Sequence, residues 1–265
     1  MASRSERLDK LLAQRGLAPS REKAQALILA GCVWVDGQPV TQSGRKVRED
    51  ARIEIHGRDH PYVSRGGVKL AHALETFGLE VSGLTAMDVG ASTGGFTDCL
   101  LQRGARKVYA VDVGYGQLAW TLRRDPRVVV LERQNIRSLD PATIPEPIQC
   151  AVVDVSFISL RLVLPKVVAF LAQESFLVAL IKPQFEAGRE HVGKGGVVKD
   201  PAVHEEVCRS VAGAVEALGF HVLGITPSPI LGPKGNREFL LAARRVGAAR
   251  GSEETDGMHP AQKPR

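Results

Sequence analysis

Two ionic side chains end apolar stretches that have the composition of buried strands. Asp154 ends the stretch at 150–154, and Lys182 directly follows the stretch at 176–181. An unpaired charge next to buried hydrophobic residues is costly, so each of these side chains needs a partner. If the two strands are neighbours in a sheet, the simplest partner for each charge is the other. A lysine oriented in this way can take a proton from a hydroxyl group or stabilise the anion that remains.

Two further charges, Lys69 and Glu238, complete this group in our interpretation. Lys69 follows Gly66 and Gly67 at the start of a predicted helix, and Glu238 lies at the start of a late strand. Each also has an ordinary explanation, because Lys69 can be an exposed helix lysine and Glu238 an edge-strand charge. We predict that the four charges converge on one catalytic site.

A glycine-rich turn follows the first apolar strand, 85–89, and leads into a helix. Its spacing, G-x-x-x-G-G, differs from the G-x-G-x-x-G of dinucleotide enzymes, and an acid so close to the turn would repel a pyrophosphate. Such an acid can instead receive the cationic methionine end of S-adenosylmethionine. The residues predicted to contact the cofactor here are Asp88, Gly90, Ser92, Thr93, Gly94, Gly95 and Phe96.

The next two strands end in polar residues that suit an adenosine. Asp112 ends the second strand, where it can accept both ribose hydroxyls, and Asn135 follows the third, where it can bond the adenine edge. Asp154, at the end of the fourth strand, is also predicted to border the cofactor. An aspartate such as Asp112 serves NAD as well as S-adenosylmethionine, so it does not discriminate between the two.

Apolar strands alternate with helical stretches through most of the chain. This alternation predicts an open α/β sheet of Rossmann-like type, parallel in the main, with helices on both faces. A helix is expected from residue 68 to about 77. The predicted strands are 85–89, 107–111, 128–131, 150–154, 176–181, 221–226 and 238–243.

The first 60 residues have a different pattern, with two helices and then a small sheet. Apolar spacing places helices at 7–16 and from Ser20 to Gly31, and Asp36-Gly37 predicts a hairpin. Strand-like runs lie at 33–35, around Val47 and at 52–55. The basic side chains form either a solvated surface or an RNA-binding face, and the predicted RNA contacts are Arg4, Arg7, Lys10, Arg15, Arg21, Lys23 and Arg65.

Composition agrees with a polyanionic partner. The chain has 265 residues and a net charge of +6, which favours attraction to nucleic acid without specifying it. The chain has neither a secretory leader nor an apolar run of about 20 residues, so we expect a cytoplasmic protein without membrane contact. The four cysteines are far apart and show no metal-ligand spacing, which predicts reduced thiols and no metal site.

Specific motifs resemble a known family. The runs 7–12, 20–28 and 31–37 look like the S4 RNA-binding domain, and the set Lys69, Asp154, Lys182 and Glu238 looks like the tetrad of FtsJ-like ribose 2′-O-methyltransferases. Together they resemble the TlyA family, often labelled hemolysin. The resemblance implies an α+β S4-like domain at 1–60, a linker at 61–66 and a methyltransferase domain at 67–246. The tail at 247–265 is polar, with almost no apolar residues, which predicts disorder.

The same resemblance implies a reaction and a division of labour. S-adenosylmethionine would methylate a cytidine 2′-hydroxyl in 16S or 23S ribosomal RNA or both, with ribosomal subunits as partners. Lys182 would act on the hydroxyl, Asp154 would orient Lys182, and Lys69 and Glu238 would position the ribose.

The residues also bear on other possible functions. Methylation of a base amino group is disfavoured because the fourth strand is followed by Val155-Ser156-Phe157 rather than Pro-Pro-aromatic, and no cysteine is placed as a carbon-methylating nucleophile. An inactive RNA-binding protein and a hemolysin-like protein remain alternatives, whereas an NAD oxidoreductase is disfavoured by the glycine spacing. The glycine-rich stretch 185–200 is either a mobile lid or a connection, and its His191 receives no catalytic role.

Overall fold

The computed structural model describes residues 5–29, 31–55 and 60–245. Arg4, which was predicted to contact RNA, and the tail 247–265, which was predicted to be disordered, lie outside these residues.

The first unit contains two short helices and small antiparallel sheets. Its elements are β1 (Ser5–Arg7), α1 (Leu8–Gln14), α2 (Arg21–Leu29), β2 (Val33–Val35), β3 (Gln38–Val40), β4 (Lys46–Arg48) and β5 (Ile53–Ile55). β2 lies between β3 and β5, and β1 pairs with β4. The hairpin predicted at Asp36-Gly37 is confirmed, since both residues have positive φ and join β2 to β3. β1 was missed because its three residues carry no apolar alternation.

The predicted faces of both N-terminal helices form the core of this unit. Leu8, Leu11 and Leu12 from α1 pack with Ala24 and Ile28 from α2. Ser20 caps α2, because its hydroxyl accepts a hydrogen bond from the backbone nitrogen of Lys23 at 3.2 Å. The apolar residues whose spacing predicted the two helices are therefore the residues that hold the helices together.

The second unit is a mostly parallel sheet with helices on both faces, as predicted. Its strands are β6 (Thr85–Val89), β7 (Lys107–Asp112), β8 (Val128–Glu132), β9 (Ile148–Val153), β10 (Leu171–Ile181), β11 (His221–Pro227) and β12 (Phe239–Arg245). Their order is β11-β12-β10-β9-β6-β7-β8. The five strands from β10 to β8 are parallel, and β12 runs antiparallel between β10 and β11.

Helices cover both faces of this sheet. They are α3 (Gly66–Thr76), α4 (Gly95–Gln102), α5 (Trp120–Arg123), α6 (Leu160–Val167), α7 (Pro183–Glu186) and α8 (Pro201–Ala217). One core lies between the sheet and α6 and α8, and the other lies between the sheet and α3 and α4. α3 begins two residues before the predicted start, because Gly66 and Gly67 are already helical.

Apart from the start of β10, the strand boundaries agree with the prediction to within two residues, and two of the differences matter for the fold and the site. β10 starts at Leu171 rather than at 176, because Leu171 already pairs with Ile148 of β9. The pairing register shifts between Leu171 and Phe176. Polar residues in this interval interrupt the apolar run, so the sequence did not reveal the earlier start. β12 starts at Phe239, which leaves Glu238 in the loop that precedes the strand.

Three further observations concern the described residues. None of the four cysteines forms a disulfide, and all but Cys208 are buried. Within residues 5–29, 31–55 and 60–245, no helix has the length and apolar character needed to cross a bilayer. The same ranges contain no cluster of three or more His, Cys, Asp or Glu residues that could hold a metal ion.

Candidate active site

The carboxyl ends of β9 and β10 bring Asp154 and Lys182 together. The two strands are parallel neighbours, so the residues that follow them emerge at the same edge of the sheet. Nζ of Lys182 lies 2.5 Å from Oδ1 of Asp154 and donates a hydrogen bond to Oγ of Ser156 at 2.9 Å. The expectation that each charge is the other's partner is confirmed. Both side chains are largely buried, with Lys182 at 11% and Asp154 at 23% exposure.

Lys69 and Glu238 form a second ion pair. Lys69 lies in the first turns of α3, and its Nζ lies 2.5 Å from Oε2 of Glu238. The Glu238 side chain is fully buried, and its Oε1 has no hydrogen-bond partner among the described residues. A side chain at Gly232 would collide with this carboxylate. The glycine therefore leaves room for the glutamate.

Both ion pairs line one cleft with a volume of about 290 Å³. Ser64, Arg65 and Ser156 contribute polar walls to the same cleft. The four charged side chains therefore border one space, although Asp154 and Lys182 come from the sheet, Lys69 from a helix and Glu238 from a loop. The two ammonium groups and two carboxylates nearly cancel one another, and Arg65 adds a positive charge to the same cleft.

The glycines of the turn after β6 are required by packing within the protein. Gly90 and Gly94 have φ of +87° and +97°, a region that favours glycine. A Cβ on Gly90 would collide with the backbone oxygen of Asp154, and one on Gly94 would collide with the Leu122 side chain. From the sequence, these glycines were expected to allow the close approach of a ligand. The structure adds that Gly90 lets the turn pack against the strand end that carries Asp154, and that Gly94 lets it pack against Leu122 of α5.

A second cavity, of about 330 Å³, lies beside this turn. Asp112 borders it and accepts backbone hydrogen bonds from Ser92 at 2.8 Å and Gly114 at 2.6 Å, which fix its carboxylate. Asn135 also borders it and accepts from the backbone nitrogen of Arg137 at 3.0 Å. Its side-chain nitrogen has no partner among the described residues. The cavity therefore combines a fixed acceptor with a free donor, as an adenosine requires.

Apolar residues that the sequence analysis did not select line the same cavity. They are Val113, Ile136, Val155, Phe157, Ile158 and Val163. Val113 directly follows Asp112 and is 72% exposed, so an apolar residue just after a strand-end acid was the available signal. Ser156 was also missed, although it borders both the cavity and the catalytic cleft.

The other predicted cofactor residues are divided between different places. Thr93, Gly95 and Phe96 line the catalytic cleft, whereas Gly90 and Ser92 border both spaces. Asp88 and Gly94 line neither space.

Asp88 is fully buried and bonded to the turn. Its Oδ2 accepts the backbone nitrogen of Thr97 at 2.9 Å and the Thr97 hydroxyl at 2.7 Å. Burial raises the pKa of this carboxyl to about 7, against the hydrogen bonds from Thr97 that favour its charged form. In this structure Asp88 connects the end of β6 to the start of α4. A direct cofactor contact of Asp88 stays a prediction.

Several basic residues predicted to bind RNA have partners within the first unit. Arg7 and Arg21 both bond Asp9, which has no exposure. The hydrogen bond from Arg7 and those from Gln25 and Arg21 hold the pKa of Asp9 well below its usual range, against the effect of burial.

The remaining residues that were predicted to contact RNA also differ in whether they have partners within the protein. Lys10 pairs with Glu6, and Arg15 donates to the carbonyls of Glu49 and Ala51. Among the described residues, Lys23 and Arg65 have no ion-pair partner, and Arg65 lines the catalytic cleft. These two residues therefore offer the least committed positive charge of the set.

The glycine-rich stretch 185–200 is fastened to the loop that carries Glu238. Asn236, only 3% exposed, accepts the backbone nitrogen of Val198 at 3.2 Å and donates to the carbonyls of Gly196 and Pro233 at 3.0 and 3.2 Å. The ring of His204 bonds the Val198 carbonyl at 2.9 Å. These bonds anchor residues 196–198, so any lid motion is restricted to the residues before them.

Comparison with known proteins places this site in a family. The model of the FtsJ-like methyltransferases matches residues 62–245, and that of the S4 domain matches residues 6–53. The "16S/23S rRNA (cytidine-2'-O)-methyltransferase TlyA" of Mycobacterium tuberculosis is 46% identical over 98% of each chain. "Hemolysin A" of Brachyspira hyodysenteriae is 44% identical over 88% of this chain and 98% of its own.

A solved structure has a similar fold over most of its length. The protein described as "Putative hemolysin from Streptococcus thermophilus" is 44% identical, with a TM-score of 0.72 over 92% of this chain and 90% of the other. Family models, relatives and fold agree. The chain belongs to the FtsJ-like methyltransferases, and among them to the TlyA family, in which an S4 domain precedes the methyltransferase domain.

Proposed function

We propose that this protein is an S-adenosylmethionine-dependent methyltransferase that modifies a cytidine 2′-hydroxyl in 16S or 23S ribosomal RNA or both. The observation that carries the proposal is the pair of ion pairs, Lys182 with Asp154 and Lys69 with Glu238, that line one cleft. The residues Gly90, Ser92, Asp154 and Ser156 border both this cleft and the neighbouring cavity, so a ligand in one space reaches the other.

The residues of the cavity fit the adenosine part of S-adenosylmethionine. Asp112 is held by two backbone hydrogen bonds and keeps lone pairs free for ribose hydroxyls. The Asn135 amide can donate to the adenine edge, and Val113 and Ile136 offer apolar contact to its faces. The volume of about 330 Å³ lies within the range of small-molecule sites. When bound, the cofactor supplies a methyl group carried by a sulfonium.

The cleft residues then act on the acceptor hydroxyl. A ribose hydroxyl is a weak nucleophile at neutral pH, and holding it in line with the methyl group supplies much of the acceleration. In its neutral form Lys182 takes the hydroxyl proton, and in its charged form it stabilises the oxygen anion. Asp154 orients Lys182. Lys69 and Glu238 position the ribose, and Oε1 of Glu238 offers an acceptor without a partner among the described residues.

The S4 domain supplies the contact with RNA. We propose the division made from the sequence, with an S4 domain at 1–60, a linker at 61–66 and a methyltransferase domain at 67–246. Lys23 and Arg65 are the basic residues best placed for phosphate contact, because neither has an ion-pair partner in the described part of the chain. A ribosomal substrate implies ribosomal subunits as partners and a cytoplasmic location.

Mapping of 2′-O-methyl groups tests the proposal. Ribosomal RNA from cells with and without the protein is analysed by primer extension at limiting nucleotide concentration, which stops at such groups. We expect at least one stop, at a cytidine, that depends on the protein. Identical patterns from the two strains would refute the proposal. Calorimetry with S-adenosylmethionine and with NAD distinguishes the methyltransferase from the oxidoreductase alternative, and we expect binding of the former alone.

A further inference from the structure

Ser156 contacts the side chain that we place at the centre of the reaction. Its Oγ accepts a hydrogen bond from Nζ of Lys182 at 2.9 Å, on the same nitrogen that Asp154 contacts at 2.5 Å. An ammonium group has three hydrogens. Ser156 therefore directs one of these hydrogens, while Asp154 contacts the same nitrogen as an ion pair.

Ser156 also lies where the two spaces meet. It borders the catalytic cleft with Lys69 and Glu238, and it borders the cavity with Asp112 and Asn135. A hydroxyl at this place, between a bound cofactor and a bound ribose, can hold the Lys182 side chain close to the path of the transferred methyl group.

The backbone around Ser156 is fixed on both sides. The nitrogen of Asp154 donates to the carbonyl of Val89 at 2.9 Å. Phe157 has a φ of +65°, unusual for a bulky residue. Its ring, 90% exposed, contacts Phe185 at a centroid distance of 5.0 Å. Backbone conformations of this kind persist where the surroundings enforce them, and they cluster at functional sites.

A serine differs chemically from an aspartate as a partner for lysine. The Asp154 carboxylate can only accept, so its attraction is strong for the ammonium form and weak for the neutral amine. The Ser156 hydroxyl can accept from the ammonium and donate to the lone pair of the amine. It therefore holds Nζ in either protonation state, whereas Asp154 holds it firmly in one.

We propose that Ser156 is a positioning residue that keeps Nζ of Lys182 directed into the cleft while the lysine changes its protonation state. This inference rests on the proposed function. It requires only a hydroxyl at position 156, so Ser156→Thr is expected to work and Ser156→Ala to fail.

The kinetic test compares Ser156→Ala, Ser156→Thr and the control Ser210→Ala, which removes an exposed hydroxyl on α8. Methyl transfer to ribosomal subunits is measured together with the affinity for S-adenosylmethionine. For Ser156→Ala we expect kcat to fall roughly 10-fold to 100-fold, the cost of slight misplacement of a reacting group, with KM for RNA and cofactor affinity unchanged. Ser156→Thr is expected to restore most of kcat. A kcat of Ser156→Ala equal to that of the parent protein, or a Thr variant no better than Ala, would overturn the inference.

A second measurement does not depend on activity. Lysines are acetylated with acetic anhydride under native conditions, and the rate at each site is read by peptide mass spectrometry. Loss of one anchor is expected to raise the rate at Lys182 in Ser156→Ala, but not in Ser156→Thr, while the exposed Lys166 on α6 keeps its rate. Unchanged reactivity of Lys182 in all variants would refute the contact itself. A changed reactivity in a protein without methyl transfer would instead refute the proposed function and leave the contact standing.

Discussion

Lys69 and Glu238 are 169 positions apart in the chain, yet Nζ of one lies 2.5 Å from Oε2 of the other. The contact joins the first helix of the methyltransferase domain to the loop before its last strand. Both residues line the same cleft as Asp154 and Lys182.

This buried pair has a consequence for stability. Removing one partner leaves the other charge uncompensated, which costs about 3 to 5 kcal/mol for buried pairs. Because Lys69 keeps 11% exposure, we expect the lower end for Glu238→Ala in urea unfolding. The double variant Lys69→Met with Glu238→Leu is expected to recover much of the loss without recovering activity. Additive losses in the double variant would show that the two side chains do not interact.

Gly90 is expected to be needed for both folding and activity. In Gly90→Ala the new methyl group would meet the backbone oxygen of Asp154, which cannot move without displacing the Asp154 carboxylate. The matched control is Gly78→Ala, since Gly78 also has a positive φ, +59°, but open space around it. The control is expected to lose about 1 to 2 kcal/mol from backbone strain alone. Gly90→Ala should lose more in thermal unfolding and should also lose activity, and equal losses in the two variants would contradict the packing argument.

Asp88 is expected to make stability depend on pH. Burial raises its pKa to about 7, above the roughly 3.9 of an unfolded carboxyl. The folded protein binds this proton more tightly, so the contribution is fully present below about pH 4 and is lost as pH rises through about 7. Asp88→Asn keeps an acceptor for Thr97 and carries no charge. We expect it to exceed the parent protein by roughly 1 to 4 kcal/mol at pH 8, and by clearly less at pH 5.

The control for this measurement is Asp50→Asn, which changes an aspartate with a side chain 62% exposed. Its stability relative to the parent protein should vary little between pH 5 and pH 8. If Asp88→Asn behaves like this control, Asp88 is not a buried acid of raised pKa.

Asn236 is expected to anchor the glycine-rich stretch. Asn236→Ala removes three hydrogen bonds that fasten residues 196–198 and the 233 carbonyl. Hydrogen exchange read by mass spectrometry should then quicken at 193–198, with no change in α4. Arg237→Ala, which changes the exposed neighbouring residue, is the control and should leave exchange at 193–198 as it was. Unchanged exchange in Asn236→Ala would favour the view that the stretch is held by other contacts.

Most of the fold was accessible from the sequence, because the strands that hold the site are buried on both faces and read as continuous apolar runs. β6 was predicted to the residue, and the ends of β9 and β10 to within one residue, which sufficed to pair Asp154 with Lys182. β1 was not accessible, since three polar residues that pair with another short strand carry no periodic pattern.

The site was predicted less evenly. The ionic residues stood out because a charge next to an apolar run needs an explanation. Ser156 did not, since a serine after a strand is ordinary until the position of Lys182 is known. The placement of Asp88 also required the structure: the pattern of the glycine turn cannot show that its carboxylate points to Thr97 beneath the turn.

Lys182 is the residue on which the account depends most directly. The decisive measurement is transfer of a labelled methyl group from S-adenosylmethionine to ribosomal RNA by the parent protein, by Lys182→Ala and by the control Lys166→Ala, followed by nucleoside mass spectrometry. The account predicts label in 2′-O-methylcytidine for the parent and the control. For Lys182→Ala it predicts a loss of at least about 100-fold with cofactor affinity retained. Undiminished transfer by Lys182→Ala, or label on a base in place of the ribose, would contradict it.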